Sequence, residues 1–350
     1  MTDVIRPLIK RRNQGVSVVL GSYGPHRVGK VERVSSVDEC MGLYELSPFG
    51  VAHVEFDSFF GNGGMQLVVI NMGECRRWDE PAMADVEWIR GTLVGVGVCD
   101  FLVCSETLGG AAMKSLMGCL LETVDQQQGM VLASPPAGVG VSGVNEWMQD
   151  WGLHAKHVAV YFPRIRHMEW GCEGSVLLAV AGLFSRFDHE LGPWRAPSGT
   201  SAVLEPHWAP LLLLSNEETI ELNRIGCNVV RQFKMGTLLW GGTTGVGLQH
   251  EQAYWRYISI RRTLLMIRRN VESLRGWLLE NVGRDERVGE WVTEAIRVFL
   301  VDLYDAGALV GKTVDDGYTL EFMSVDRQMV WQYGVCLMTE GEYMMSSLRF

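Results

Sequence analysis

The chain has no apolar run long enough to cross a bilayer: its longest uncharged apolar stretch, residues 175–184, is about half of the ~20 residues that a spanning helix needs. It also starts without the pattern of an export signal. Arg6, Lys10, Arg11 and Arg12 surround a few aliphatic residues, and neither an apolar segment nor a small-residue cleavage site follows. Synthesis in the cytoplasm without a signal peptide is therefore expected. Positive charge is in deficit. There are 31 Lys and Arg against 41 Asp and Glu, a formal net charge of -10, which is the reverse of the basic surface that phosphate contacts require. Neither nucleic acid nor direct membrane insertion is expected. The eight cysteines, scattered from Cys40 to Cys336, lack any short repeated spacing, which reads as free buried thiols rather than a disulfide framework. Low-complexity tracts and internal repeats are missing as well.

What is present is the material of a globular protein. The 350 residues are 47% hydrophobic and 21% charged, enough to offset ordering entropy without disulfides or metal. At roughly 150 residues per domain the length predicts about two domains. In the first thirty residues Val16, Val18 and Leu20 alternate with smaller or polar neighbours, the period-two pattern of a strand with one buried face. Gly21, Gly24 and Pro25 stop it, so 1–30 reads as an N-terminal arm. Residues 59–64 form a glycine-rich turn that feeds a strand over 66–70. Helices over 82–93, 111–126 and 144–151 then alternate with strands over 98–104, 130–133 and 157–162. Strands separated by helices predict βαβ units and a mostly parallel sheet covered on both faces, an α/β core domain over 31–200.

Beyond Pro197 the pattern changes to an α+β C-terminal domain over 201–328. Ser215 and Glu218 have the spacing of a capping box that opens a helix through Ile225. Two short strands follow over 228–233 and 237–240, and a strand over 257–260 runs into an Arg-rich helix ending near residue 280. The helix over 287–309 carries Val288, Val292, Ala295, Phe299, Leu303 and Ala306 as an apolar stripe, with Glu290, Glu294 and Arg297 on the other face. Tyr318, Leu320 and Phe322 alternate in one closing strand, and Trp331, Tyr333, Val335 and Leu337 in another. The latter belongs to 329–350, read as a C-terminal strand or arm.

Signatures of catalysis do not form. Gly307, Gly311, Lys312 and Thr313 are one residue short of a phosphate loop and follow a helix, where the motif needs a strand. Gly241, Gly242, Gly245 and Gly247 lack the strand-to-helix unit and the following acidic residue of a dinucleotide loop. His154, His157, His167 and Cys172 are metal-like in composition, but on a strand His154 and His157 would point to opposite faces. Cys99 and Cys104 face opposite ways for the same reason. No G-x-S-x-G or H-E-x-x-H occurs, and Asp188 with His189 has no identifiable nucleophile beside it. No catalytic, cofactor-binding or metal-ligating residue is assigned, and no cofactor is expected. One basic stretch stands out: Arg256, Arg261, Arg262, Arg268, Arg269 and Arg275. It reads either as a solvated helix face with local ion pairs or as an interface with an acidic surface.

Several motifs, in their order, go further. They are Phe59-Phe60-Gly61-Asn62-Gly63-Gly64 before a strand; the Tyr161-Phe162-Pro163 close of a core strand; and Val180-Ala181-Gly182-Leu183-Phe184-Ser185-Arg186-Phe187-Asp188. Gly192-Pro193-Trp194-Arg195-Ala196-Pro197, Leu222-Asn223-Arg224-Ile225-Gly226-Cys227-Asn228 and Trp240-Gly241-Gly242-Thr243-Thr244 follow. Trp255-Arg256-Tyr257-Ile258-Ser259-Ile260-Arg261-Arg262 and the run over 299–311, with Gly307 and Gly311, complete the series. In these the sequence resembles the contractile tail sheath family of phages, R-type pyocins and extracellular contractile injection systems. Thr243-Thr244 stands where that family's pattern has Arg-Thr. The chain is short for the family, which implies that an outer decorating domain is lacking.

The resemblance implies a structural subunit and no enzyme. Extended arms from both ends would complete a β-sheet in neighbouring subunits, linking hexameric rings into a helical sheath around an inner tube. Contraction would drive that tube through a target envelope. The arm residues would be Val16, Val18 and Leu20 at one end and Trp331, Tyr333, Val335 and Leu337 at the other. The helix over 287–309, or the arginine stretch, would face the tube. Implied partners are further copies of the chain, the inner tube protein, and baseplate and terminator or cap proteins, within a virion tail or a phage tail-like particle. Two other readings stay open: a hydrolase-like α/β enzyme with a pocket gathering Asp188, His189 and Trp194, and a baseplate or tail-end component that forms a closed ring.

Overall fold

The computed structural model describes residues 8–9, 15–73, 80–149, 151–248, 253–283, 286–325 and 328–350. The chain divides into two units, Gln14–Arg262 and Thr263–Phe350, and Leu8 and Ile9 group with the second. In chain order the first contains β1 (Ser17–Gly21), β2 (Val31–Val34), α1 (Val37–Tyr44), α2 (Val51–Gly61), β3 (Leu67–Asn71), α3 (Met83–Val96), β4 (Phe101–Cys104) and α4 (Gly110–Gln126). It continues with β5 (Met130–Ala133), α5 (Val141–Gln149), β6 (Val158–Phe162), β7 (Ile165–His167), β8 (Glu173–Gly174), α6 (Leu177–Glu190), β9 (Trp208–Pro210), α7 (Asn216–Arg224), β10 (Cys227–Phe233) and β11 (Gly236–Trp240). The boundary falls inside α8 (Ile258–Glu272). After it come α9 (Leu274–Asn281), α10 (Val288–Asp305), α11 (Val314–Gly317), β12 (Tyr318–Val325), β13 (Gln328–Cys336) and β14 (Tyr343–Arg349). Among the described residues no helix is long and apolar enough to cross a membrane.

Eight strands of the first unit form one sheet in the order β11-β10-β6-β5-β4-β1-β3-β2. From β3 to β10 all neighbours are parallel, and only the edge strands β2 and β11 are antiparallel. The parallel α/β core expected from the alternation of elements is therefore present. Its strands read SVVLG, LVVIN, FLVC, MVLA and VAVYF, and every residue in them is buried, as strands covered on both faces require. The expected boundary at residue 200 moves to 262, because β10 continues this sheet: Cys227 pairs with Val160 of β6. β7, β8 and β9 form a separate small antiparallel sheet.

The N-terminal arm over 1–30 needs correction where it is described, at Val16, Val18 and Leu20; residues 1–7 and 10–14 of it lie outside the described residues. β1 lies in the interior of the eight-stranded sheet, with Ser17 opposite Leu67 on one side and Phe101 on the other. Val18 and Leu20 are fully buried, and the carbonyl of half-buried Val16 accepts the amide of Asp100 at 2.8 Å. Both hydrogen-bonding edges of β1 are used within the subunit, so it has none to lend.

In the C-terminal arm over 329–350 the named residues fall in or beside a central strand, not an edge. β12, β13 and β14 form a three-stranded antiparallel sheet with β13 in the middle. Trp331 pairs with Phe322 and Leu348, and Trp331, Tyr333 and Val335 are buried, while Leu337 lies half-buried just past the strand. Among the described residues the strands of this sheet with only one neighbour are β12 and β14, and β14 was not anticipated. Two further differences are local. Residues 59–61 close helix α2 instead of opening a turn, with Val54, Phe56 and Phe59 buried. Tyr257 makes a single bridge to Thr243 before α8 begins, where a strand was expected.

Candidate assembly surfaces

The arginine stretch separates into two chemistries. Arg262 is buried and points its guanidinium at Asp188, with Nη1 donating to Oδ1 at 2.7 Å and Nη2 donating to Oδ2. The rings of Phe101 and Phe184 flank it at 4.6 and 4.9 Å. Arg261, also buried, donates to Asp125 Oδ1 at 2.7 Å and approaches His157 Nδ1 at 2.9 Å. Burial holds His157 below the usual imidazole range, which suits a neutral ring accepting from Arg261. These two arginines belong to the interior and cannot form an outward basic face. Arg268 and Arg275 are exposed, whereas Arg256 and Arg269 are half-buried.

On α10 the apolar stripe packs inward at Val288, Val292, Ala295, Phe299 and Leu303, while Ala306 caps the helix end in solvent. A Cβ on Gly289 would meet the Phe322 ring at 2.5 Å, and Trp331 Nε1 donates to Thr293 Oγ1 at 3.0 Å, so α10 lies tightly against the β12 and β13 face. Its outer face shows Glu290, Glu294 and Arg297 to solvent, and Arg297 pairs with Glu294 at 2.7 Å. The last turn ends through Gly307, whose amide donates to Tyr304 O at 2.9 Å. Tyr304 Oη then donates to Gly311 O at 3.0 Å. Lys312 pairs with Glu340, and Thr313 caps α11. The glycine, lysine and threonine of this turn thus serve a helix end and a cap.

The remaining motif residues converge inside the first unit. Gly63 and Gly64 lead out of α2, and α2 crosses α6 where a Cβ on Gly182 would sit 2.2 Å from the Phe59 carbonyl oxygen. Only glycine allows that approach. Asn228 ties three segments together: its Nδ2 donates to Val160 O at 3.0 Å and Thr243 O at 2.8 Å, and its Oδ1 accepts the Thr243 amide at 2.8 Å. Gly241, at φ +118°, brings the chain against the side chains of Asn223 and Asn228. A recess of about 750 Å³ opens there, lined by Trp194, Asn223, Trp240, Gly241, Thr243 and Tyr257 among others. Pro193 and Pro197 are buried beside Trp194 in sequence.

Residues grouped by composition alone are dispersed. His157 contacts Arg261, whereas His167 stacks on Trp170 at 3.8 Å in the small sheet. Asp188 is engaged by Arg262, and its sequence neighbour His189 is exposed. Sequence reasoning missed the edges of the C-terminal sheet, unpaired among the described residues, where Phe322 and Met323 on β12 and Met345 on β14 are 38%, 42% and 54% exposed. It also missed Glu55, a carboxylate inside the core. Its place between Val54 and Phe56 in the helical stretch Val51–Gly61 was the available signal for it.

No protein-family model matches the chain, and no curated protein matches it in sequence. Solved structures do match it in fold. The helical sheath of the anti-feeding prophage in its contracted state superposes with a TM-score of 0.77 at 24% identity, over 97% of this chain and 94% of that one. The sheath complex of the PVC extracellular contractile injection system, also contracted, gives 0.76 at 18%, over 98% and 93%. A sheath tail protein of Listeria innocua gives 0.70 at 9%, over 97% and 96%. The fold is that of contractile sheath proteins, as the motif order implied, and it is shared along nearly the whole chain.

Proposed function

We propose that the chain is a structural subunit of a contractile sheath. The observation that carries this reading is the agreement of fold over 97% of the chain with a helical sheath. In this reading copies of the chain form stacked hexameric rings around an inner tube protein, bounded by baseplate and terminator or cap proteins. Contraction follows as rigid-body rotation of subunits about flexible links.

The links are strands added at the open edges of β12 and β14. A strand of about six residues makes about five backbone bonds, net ~1 kcal/mol each, against ~1–2 kcal/mol per residue of ordering entropy. Hydrogen bonds alone are insufficient, so side chains must be buried too. Phe322, Met323 and Met345, exposed at these two strands, supply that apolar surface. The outer face of α10, or Arg256, Arg268 and Arg269, is the surface offered to the tube.

The test is size-exclusion chromatography and negative-stain electron microscopy of the full chain, with and without its inner tube protein. A variant lacking residues 339–350, and with them β14, is examined in parallel. Long striated hollow tubes are expected from the full chain, and folded unassembled subunits from the variant. Closed rings alone would indicate a baseplate or tail-end component. A monomer that never assembles but gains melting temperature with a small molecule would favour an enzyme.

A further inference from the structure

In a doubly wound sheet, ligands bind outside the carboxyl ends of the strands, where the strand order reverses. Here that place lies between β1 and β4, since the chain adds β3 beyond one edge of β1 and β4 beyond the other. The crevice is filled by the protein itself. Glu55, from α2, is 3% exposed and enters it. Its Oε1 accepts the Glu106 amide at 2.9 Å, and its Oε2 accepts the Ser105 hydroxyl.

Among the described residues no cation hydrogen-bonds to Glu55. The nearest guanidinium, that of Arg164, is bound to the Glu106 carboxylate, with Nη2 to Oε2 at 2.9 Å. The other titratable groups on this side are Tyr23, which follows β1, and Cys104 of β4; Tyr44 and Cys40 of α1 stand behind Tyr23. None is cationic. The Tyr44 hydroxyl is buried without a hydrogen-bond partner among the described residues, and the Tyr23 hydroxyl, also buried, lies by Ser105. Burying a carboxylate in such surroundings disfavours its charge, and burial pushes the Glu55 carboxyl up to about 7 against two hydrogen bonds that pull it down.

The hydrogen bonds beyond Glu55 form a directed chain. The Ser22 amide donates to Thr107 Oγ1 at 2.8 Å, and Thr107 Oγ1 lies 2.7 Å from Ser105 Oγ, which donates to Glu55. With Glu55 ionised, every hydroxyl in the chain can point toward the carboxylate. A protonated Glu55 has a proton of its own to donate, which lets the Ser105 and Thr107 hydroxyls turn round. Thr107 Oγ1 then receives two donors and its own proton loses its partner.

We propose that Glu55 is a proton-operated switch that couples α2 to the turns after β1 and β4, reversing the Ser105–Glu55 and Thr107–Ser105 hydrogen bonds as it gains or loses its proton, while the Ser22 amide donates to Thr107 throughout. It occupies the crevice where related sheets hold a ligand, and it acts within one subunit whether or not that subunit assembles. The folded chain binds this proton more tightly than the unfolded chain, whose glutamate has its ordinary value near 4.5. The contribution of Glu55 to stability is therefore full at low pH and is lost as pH rises through about 7.

The experiment measures thermal unfolding of the full chain between pH about 5 and 8.5 for wild type, Glu55→Gln and Ser105→Ala, together with the infrared C=O stretch of protonated carboxyls. The wild type should lose melting temperature relative to Glu55→Gln as pH rises, by roughly 3–8 °C in total, and level off above the Glu55 midpoint. A carboxyl band should vanish near pH 7 in wild type, be missing from Glu55→Gln, and vanish at higher pH in Ser105→Ala, which lacks the donor that favours the charged form. Should Glu55→Gln not fold, the wild-type band and its displacement in Ser105→Ala still decide. Parallel melting curves for wild type and Glu55→Gln, or a band midpoint unmoved in Ser105→Ala, would overturn the proposal.

Discussion

β1 and β14 are both short strands near a chain end, and their situations are opposite. β1 has β3 on one side and β4 on the other, and all five of its residues are buried. β14 has β13 alone, and Met345 within it is 54% exposed. Whether a terminal strand can be shared between subunits depends on its place in the sheet, because only an edge strand has unpaired amides and carbonyls.

The largest expected effect tests this contrast directly. Deleting residues 1–20 removes β1 except for its last residue, and should abolish cooperative unfolding of the Gln14–Arg262 unit as followed by circular dichroism. A truncated chain that melts near the wild-type temperature would show that β1 is dispensable and restore it as an arm. A second contrast, between arginines, predicts a smaller effect. Replacing Arg262 by Ala leaves Asp188 as a buried unpaired charge, and denaturant unfolding should report a loss of about 3–5 kcal/mol. Smallest of all, Arg297→Ala removes only the exposed pair with Glu294, and its midpoint should stay within about 0.5 kcal/mol of wild type. Equal losses from the two arginine variants would mean that burial is not what separates them.

Much of the architecture was legible because it is encoded locally. The parallel core followed from continuous apolar strands spaced by helices, and the strand Met130–Ala133 fell where it was expected. The capping box of Ser215 and Glu218 is formed with both of its hydrogen bonds. The stripe on α10 faces inward as its spacing required. The failures are as instructive. In Ser17–Gly21 the alternation of Val16, Val18 and Leu20 concealed a stretch buried on both faces. At residues 59–61 the nearby glycines suggested a turn where α2 ends. Among the candidate residues, Asp188 and Arg262 were singled out as separate motifs, and nothing in either motif showed that they bind each other across 74 positions.

The sequence by itself determined the class of the core, the helix that carries the outer charges of α10, and a motif order that matches the contractile sheath fold, since each rests on periodicity, capping or neighbours within a few positions. The tertiary structure alone decided which strands are edges, which arginines are interior ion pairs, and that Glu55 fills the crevice at the carboxyl ends of β1 and β4. Those outcomes depend on hydrogen bonds and burial between residues such as Ser17 and Phe101 or Glu55 and Ser105, 50 positions apart. Whether a group is buried, paired or free is a property of the partner that folding brings to it, and no local pattern in the chain specifies that partner.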